Sequence, residues 1–280
     1  MNELFRAAII TSCAGGALTI ILLALRPVTS RIFGSIWQYY IYLAALVIMI
    51  IPISFGASYS PFPEPIEPAE IAENMPAETL MPNTFNTDVP AEFEAAPSPA
   101  TVERRAEVFG IRLMDILKYA WLTGIAIFLA GAVISYARFL RLIRKNSHCA
   151  EFAEFEMIKS EMCIRRKISV KVSTVTDAPL MIGIFNPTLI LPDRETNAAE
   201  LRYIIMHELT HFKRHDLLYK WFAMIVNAIH WFNPLVYLLV RRINEDCEIS
   251  CDVTVTRNFS GEEKKEYMRT IVNLMNNVPS

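Results

Sequence analysis

No excess of charge, no cysteine framework and, across the first 55 residues, almost no polar surface are found in this chain of 280 residues. Lys and Arg number 27 against 29 Asp and Glu, for a net charge of -2, and the basic clusters that occur flank apolar runs. Nothing in that balance points to nucleic acid. Five cysteines, an odd number, do not suggest an extracellular disulfide scaffold. Cys13 lies inside an apolar run, and Cys149, Cys163, Cys247 and Cys251 fall in the later, more polar segment, where free thiols are expected. With so little polar shell at the N-terminus, the early apolar runs cannot be the core of a soluble domain.

What is abundant is apolar sequence. Hydrophobic residues make up 53% of the chain, above the roughly 45–50% of globular proteins. The excess lies in Ala7 to Leu25, Ile36 to Phe55 and Ile116 to Ala137, each near the ~20 residues a helix needs to cross a bilayer. The reading is therefore multi-pass: spans at about 7–25 and 36–55, and a third within 111–137. The first run is followed by "RPVTSR" instead of a small-residue cleavage site, so it reads as an anchor and not as a removed signal. Arg26 and Arg31 separate the first two spans, and Arg138, Arg141, Arg144 and Lys145 follow the third. Basic loops stay in the cytoplasm, which puts residues 56–110 outside and 138–280 inside a bacterial plasma membrane. The outside stretch, rich in Pro, Ala and Glu without hydrophobic period, reads as an extended acidic loop. Asn258-Phe259-Ser260 matches a glycosylation sequon, by chance if this segment is cytoplasmic.

From residue 150 the pattern becomes α+β with helix predominating. "EFAEFEMIKSEMCIRRK" has helical spacing, and "ISVKVSTV" alternates like a strand. "PLMIGIFNPTLILP" holds two apolar runs around Asn186-Pro187, a strand–turn–strand. Asn197 can cap a helix with Glu200 as reciprocal partner. The apolar stretch Leu217 to Arg242 is broken at Asn233-Pro234 and predicts two helices, buried in the domain or lying on the membrane surface. A further helix holds "NEDCEISCDVTVT", and an amphipathic one, "EEKKEYMRTIVNLMNN", ends the sequence.

The capped helix carries His207-Glu208-Leu209-Thr210-His211. Residues four apart share a helix face, so His207 and His211 can both reach one metal ion, with Glu208 beside it. Two His and one carboxylate on zinc leave a position for water, and Glu208 would serve as general base. Glu248 is the candidate third ligand, and Asp252, one turn later, can orient a ligating His through its distal nitrogen. Cys247 and Cys251 share that spacing and offer a competing closed Cys2His2 site, one that would give Glu208 no task. His230 is a candidate for stabilising an oxyanion, or a satisfied histidine between helices. Asp216 is either a carboxylate supporting a ligand or half of a helix-end ion pair with Arg214 or Lys213. The strands around Met181 to Phe185 and Thr188 to Leu191 could take an extended substrate by edge pairing, or simply form a core hairpin.

The pentad, the following Lys213-Arg214-His215-Asp216, "GIFNPTLILP", "HWFNPLVYLL" and "EISCD", in this order after paired N-terminal spans, resemble the BlaR/MecR-type membrane metallopeptidases, metallopeptidase family 56. The resemblance implies a gluzincin-like domain facing the cytoplasm, with one zinc per chain. Well-known members are antibiotic-sensing transducers whose protease leads to loss of a DNA-binding repressor. The expectation is thus a membrane zinc endopeptidase that cleaves a cytoplasmic protein, such as a transcriptional repressor, or itself. Lipid and a second copy of the chain are further expected partners. A quality-control protease and a non-catalytic, metal-stiffened receptor are the alternatives. Those transducers carry another span and a sensor after the protease domain, whereas this sequence ends at Ser280, so β-lactam recognition is not carried over.

Overall fold

The computed structural model describes residues 2–51 and 99–276, with side chains described at 3–51 and 112–274. The described residues within 1–52 and 116–280 form one compact unit. Helix α1 (Asn2–Ile32) and helix α3 (Pro99–Lys145) are long and apolar enough to cross a membrane, over Glu3–Ile32 and Arg112–Lys145. Between them α2 (Ser35–Ile50) has 16 residues, a rise of roughly 24 Å; residues 52–55 of the expected second span lie outside the described residues. So does most of the acidic loop. Its last part differs from expectation: 99–110 is already helical, because "ATVERRAEVF" is dominated by good helix formers. The same helix continues past Ala137 to Lys145.

The polar half is a small mixed sheet under helices. β1 (Ser147–Cys149), β2 (Ser169–Ser173), β3 (Leu180–Ile182) and β4 (Thr188–Pro192) are ordered β1-β2-β4-β3. β2 runs parallel to β4, and both outer pairs are antiparallel. Thus β3 is an edge strand, paired to β4 with Met181 opposite Leu189. Its turn needs Gly183, whose φ is +80° and where a Cβ would stand 2.5 Å from the Asn186 carbonyl. α4 (Ala153–Glu161) and α5 (Ala198–Lys213) cover the sheet through Phe155, Ile158, Ile204, Ile205 and Leu209. Each such buried side chain contributes roughly 2 kcal/mol. The Asn197 side chain accepts from the Glu200 amide at 2.8 Å, as its capping role predicts.

Two further helices follow, α6 (Asp216–Ile229) and α7 (Pro234–Val255), separated at Asn233-Pro234. The separate helix expected for "NEDCEISCDVTVT" is the second half of α7: no glycine or proline interrupts Leu235 to Val255. A 3-10 turn (Thr256–Asn258) and α8 (Gly261–Asn276) complete the chain. The α6–α7 turn is set well inside the apolar helices. Asn233 Nδ2 donates to the Ser12 carbonyl and hydroxyl of α1 (3.2 and 2.9 Å), Trp121 of α3 donates to Ile229 O at 2.8 Å, and Arg26 pairs with Asp246 at 2.6 Å. From Arg26 to Ser12 is about 21 Å of helix. The hairpin therefore runs alongside α1 and is not laid across its end.

Candidate metal centre

α5 and α7 cross with His207 and His211 facing Glu248. The first residue after α5 is Arg214, and the next, His215, is left-handed at φ 59°. Histidine tolerates that conformation better than most residues, and the sharp turn brings Asp216 back beneath α5. The His211 Nδ1 stands 2.7 Å from Asp216 Oδ2. Because a carboxylate only accepts, Nδ1 carries a proton, and in the neutral ring Nε2 is the nitrogen that offers a lone pair. His207 is set the same way by a different partner: the Tyr267 hydroxyl donates to Asp252 Oδ1 at 2.6 Å and accepts from His207 Nδ1 at 2.7 Å. Asp252 itself is 3.3 Å from that nitrogen.

Both Nε2 atoms converge, 3.1 Å apart, and in the neutral Nδ1–H rings both would offer lone pairs to one ion. Glu248 Oε2 completes a triangle at 3.6 Å from His207 Nε2 and 3.3 Å from His211 Nε2. Donors about 2.0–2.1 Å from a tetrahedral zinc stand roughly 3.3 Å apart, so this donor set fits the ion. Electrostatics agree. Burial works against charge on His207, yet Asp252, Cys251 and Glu248 around the ring outweigh it and push its pKa up to about 11. His211 is raised too, burial being overcome by Asp216 and the neighbouring thiols and carboxylate. Glu248, despite burial, is held far below the usual carboxylate range by the two imidazoles and Lys220. The pocket is built around positive charge at the Nε2 atoms.

The competing Cys2His2 set does not assemble in this arrangement. The thiols of Cys247 and Cys251 are buried on the other side of the rings, 3.9 Å from Nδ1 of His211 and His207 respectively, and those nitrogens already have oxygen partners. Other groupings with a thiol lie within metal-binding range, His207, His211 and Cys251 or His211, Asp216 and Cys247, but neither uses the converging Nε2 pair with Glu248. A cleft of about 350 Å³ opens over the triangle, with Glu208, Lys220 and the β3 residues Leu180 and Met181 on its walls. Glu208 is buried, which raises its carboxyl above the ordinary value against the pull of both imidazoles.

A histidine pair, a carboxylate one helix away and a buried glutamate over the same cleft form a peptidase-like constellation, and the sequence matches the family described as BlaR1 peptidase M56 over residues 3–279. The chain belongs to the M56 peptidase family. It is 29% identical to the regulatory protein BlaR1 of Bacillus licheniformis over 58% of this chain and 28% of that one. It is 32% identical to the methicillin resistance mecR1 protein of Staphylococcus aureus over 39% of this chain and 19% of that protein. Against the regulatory protein BlaR1 of Staphylococcus aureus the identity is 24% over the whole chain and 47% of the relative. The chain thus spans less than half the length of these relatives.

Within this M56 member, the structure brings together His207, Glu208, His211, Glu248, Asp252 and Asp216. His230 is not among them. It is fully buried, its Nε2 donates to the Met49 carbonyl at the C-terminal end of α2, and it does not line the cleft. It sits between helices, held through Nε2 alone, its Nδ1 having no hydrogen-bond partner among the described residues. Asp216 combines both of its expected roles, holding His211 and standing 3.4 Å from Arg214 Nε. Three residues of the site were missed in the sequence: Tyr267, Tyr39, whose hydroxyl donates to Asp216 Oδ1 at 3.0 Å, and Lys220, whose Nζ is 3.2 Å from Glu248 Oε1. Only Lys220 carried a signal, a charge inside an apolar run.

Proposed function

We propose that this chain is a multi-pass membrane zinc endopeptidase with a gluzincin-like domain at the cytoplasmic face, acting in signalling. The observation that carries the reading is the convergence of the two Nε2 atoms and Glu248 Oε2 beside a buried Glu208. His207, His211 and Glu248 would hold one zinc. When bound, zinc supplies a Lewis acid that polarises a peptide carbonyl and makes water acidic near neutral pH. Glu208, its carboxyl raised by burial, takes a proton from the attacking water and delivers it to the leaving amide nitrogen. Asp216 and the Tyr267–Asp252 pair keep the imidazoles aimed. Lys220 holds the second oxygen of Glu248 and keeps that carboxylate ionised. The edge strand β3, flanking the cleft, offers backbone hydrogen bonds to an extended substrate.

The substrate proposed is a cytoplasmic regulator, such as a transcriptional repressor, or the chain itself; the relatives' names, regulatory and resistance proteins, favour signalling over general degradation. The basic residues Arg26, Arg31 and Arg138 to Lys145 support a cytoplasmic site. The test pairs metal analysis with cleavage in membranes for wild type and Glu208→Gln. About one zinc per chain in both, with cleavage lost only in the variant, is the expected result. Cleavage undiminished by Glu208→Gln, or a wild type that takes up no metal, overturns the reading.

A further inference from the structure

The hydrogen bonds around the metal centre do not end at Asp216. Its two oxygens face different parts of the molecule: Oδ2 holds His211 Nδ1 at 2.7 Å, and Oδ1 accepts from the Tyr39 hydroxyl at 3.0 Å. Tyr39 belongs to α2, the apolar helix, 177 residues away in sequence. Both partners are closed off from solvent, Tyr39 at 0% and Asp216 at 2% exposure, so water cannot replace either in this bond. The tyrosine ring is fixed as well: it packs against Tyr219 of α6 with centroids 4.8 Å apart, and the Arg214 guanidinium lies 4.9 Å above it. Arg214 in turn donates to the Ser250 hydroxyl of α7 at 2.7 Å. The α5–α6 turn that supports His211 is therefore tied on one side to α7 and on the other to α2.

We propose that Tyr39 is a positioning residue for His211, through which the apolar helix α2 and the metal centre form one hydrogen-bonded unit. The proposal rests on the metal reading above. Asp216 can lock the His211 ring only if the carboxylate is itself held, and Tyr39 is the neutral donor that holds Oδ1. Loss of that hydroxyl leaves Oδ1 facing only Arg214 Nε, 3.4 Å away, lets the carboxylate pivot, and loosens the ring whose Nε2 belongs to the converging triangle. A shift of α2 along its axis would act on His211 in the same way.

Tyr39→Phe in the full-length chain tests this, since it keeps the ring, its stacking and its burial. Tyr42→Phe is the control. Tyr42 is equally buried in the same helix and the same core, but lies towards Arg26 and Asp246. Each protein is loaded with zinc to measure its loss to a chelator, and with cobalt(II) to read the visible absorption of the bound ion. Removing a group that orients a metal-bound His lowers affinity by roughly 10- to 100-fold, and Tyr39→Phe, one bond further out, is expected at about 10-fold with an altered cobalt spectrum. Tyr42→Phe should match wild type in both. A merely structural Tyr39 would lower the unfolding temperature of the metal-free protein and leave both metal readouts unchanged, which overturns the proposal. A wild type that binds neither ion overturns the metal reading itself, a result distinct from metal binding that is insensitive to Tyr39.

Discussion

Two cores in this protein are equally closed and face opposite surroundings. One, around Tyr39, Leu46, Met49, Val236 and Leu239, joins α2 to the α6–α7 hairpin. Outside it the chain exposes Ile20, Ile21 and Leu25 on α1 and Ile127, Val133 and Ile134 on α3. The other, around Ile158, Leu189, Ile205 and Leu209, lies between sheet and helices, and its outer positions carry ion pairs such as Arg202–Glu161 and Lys159–Glu156. Interiors alike in composition beneath such different exteriors mean that the difference lies in the solvent each region meets. The candidate metal centre lies where the two meet, its histidines on a helix of the second core and Glu248 on α7, whose first half belongs to the first. Proton transfer needs water, and the cleft opens beside the polar sheet.

The comparison can be broken most forcefully at the site, which belongs to neither core. Glu208→Gln is expected to slow cleavage about a thousandfold, within the range of general acid–base contributions, with the unfolding midpoint unchanged; a large loss of stability would mean that Glu208 is structural. Next in size is a matched pair of cavities. Leu209→Ala in the sheet core should cost about 2–5 kcal/mol in denaturant unfolding, and Leu46→Ala less, because lipid tails solvate a leucine nearly as well as its core does. Equal costs would erase the distinction between the two surroundings. Tyr267→Phe, which removes the hydroxyl between His207 and Asp252, should weaken zinc retention against a chelator about 10-fold without changing the helical signal in circular dichroism. The smallest effect is expected at the start of α5, where Asn197→Ala should lower stability by about 1 kcal/mol and leave metal content intact.

Much of the polar half could be read from local rules. The cap at Asn197, the alternation through Val170, the turn expected at Asn186-Pro187, which in fact begins earlier at Gly183, and the i, i+4 spacings of His207 with His211 and Glu248 with Asp252 all act within a few residues, where sequence distance and spatial distance agree. The break at Asn233-Pro234 was legible for the same reason. Tyr267 was not: a lone aromatic on an amphipathic helix reads as core, and nothing local says that its hydroxyl meets Asp252 fifteen residues earlier. Tyr39 looked like any tyrosine near the end of an apolar helix. β1 has three residues, Ser147 to Cys149, and is a strand only because β2 lies beside it. The placement of the hairpin next to Ser12 was likewise invisible, because it depends on a partner more than 200 residues away.

That hairpin also sets an order of assembly. It separates the donors in sequence, with His207 and His211 before it and Glu248 on its second arm, so the triangle cannot close until that arm has folded back. Its tip is held by Ser12 and Trp121, groups synthesised and inserted long before the ribosome reaches Asn233. In synthesis the imidazoles precede the carboxylate, and the donor set is complete only when the hairpin stands against α1 and α3. For the membrane peptidase proposed above, inserting the helices and completing the donor set would be successive stages of one folding event.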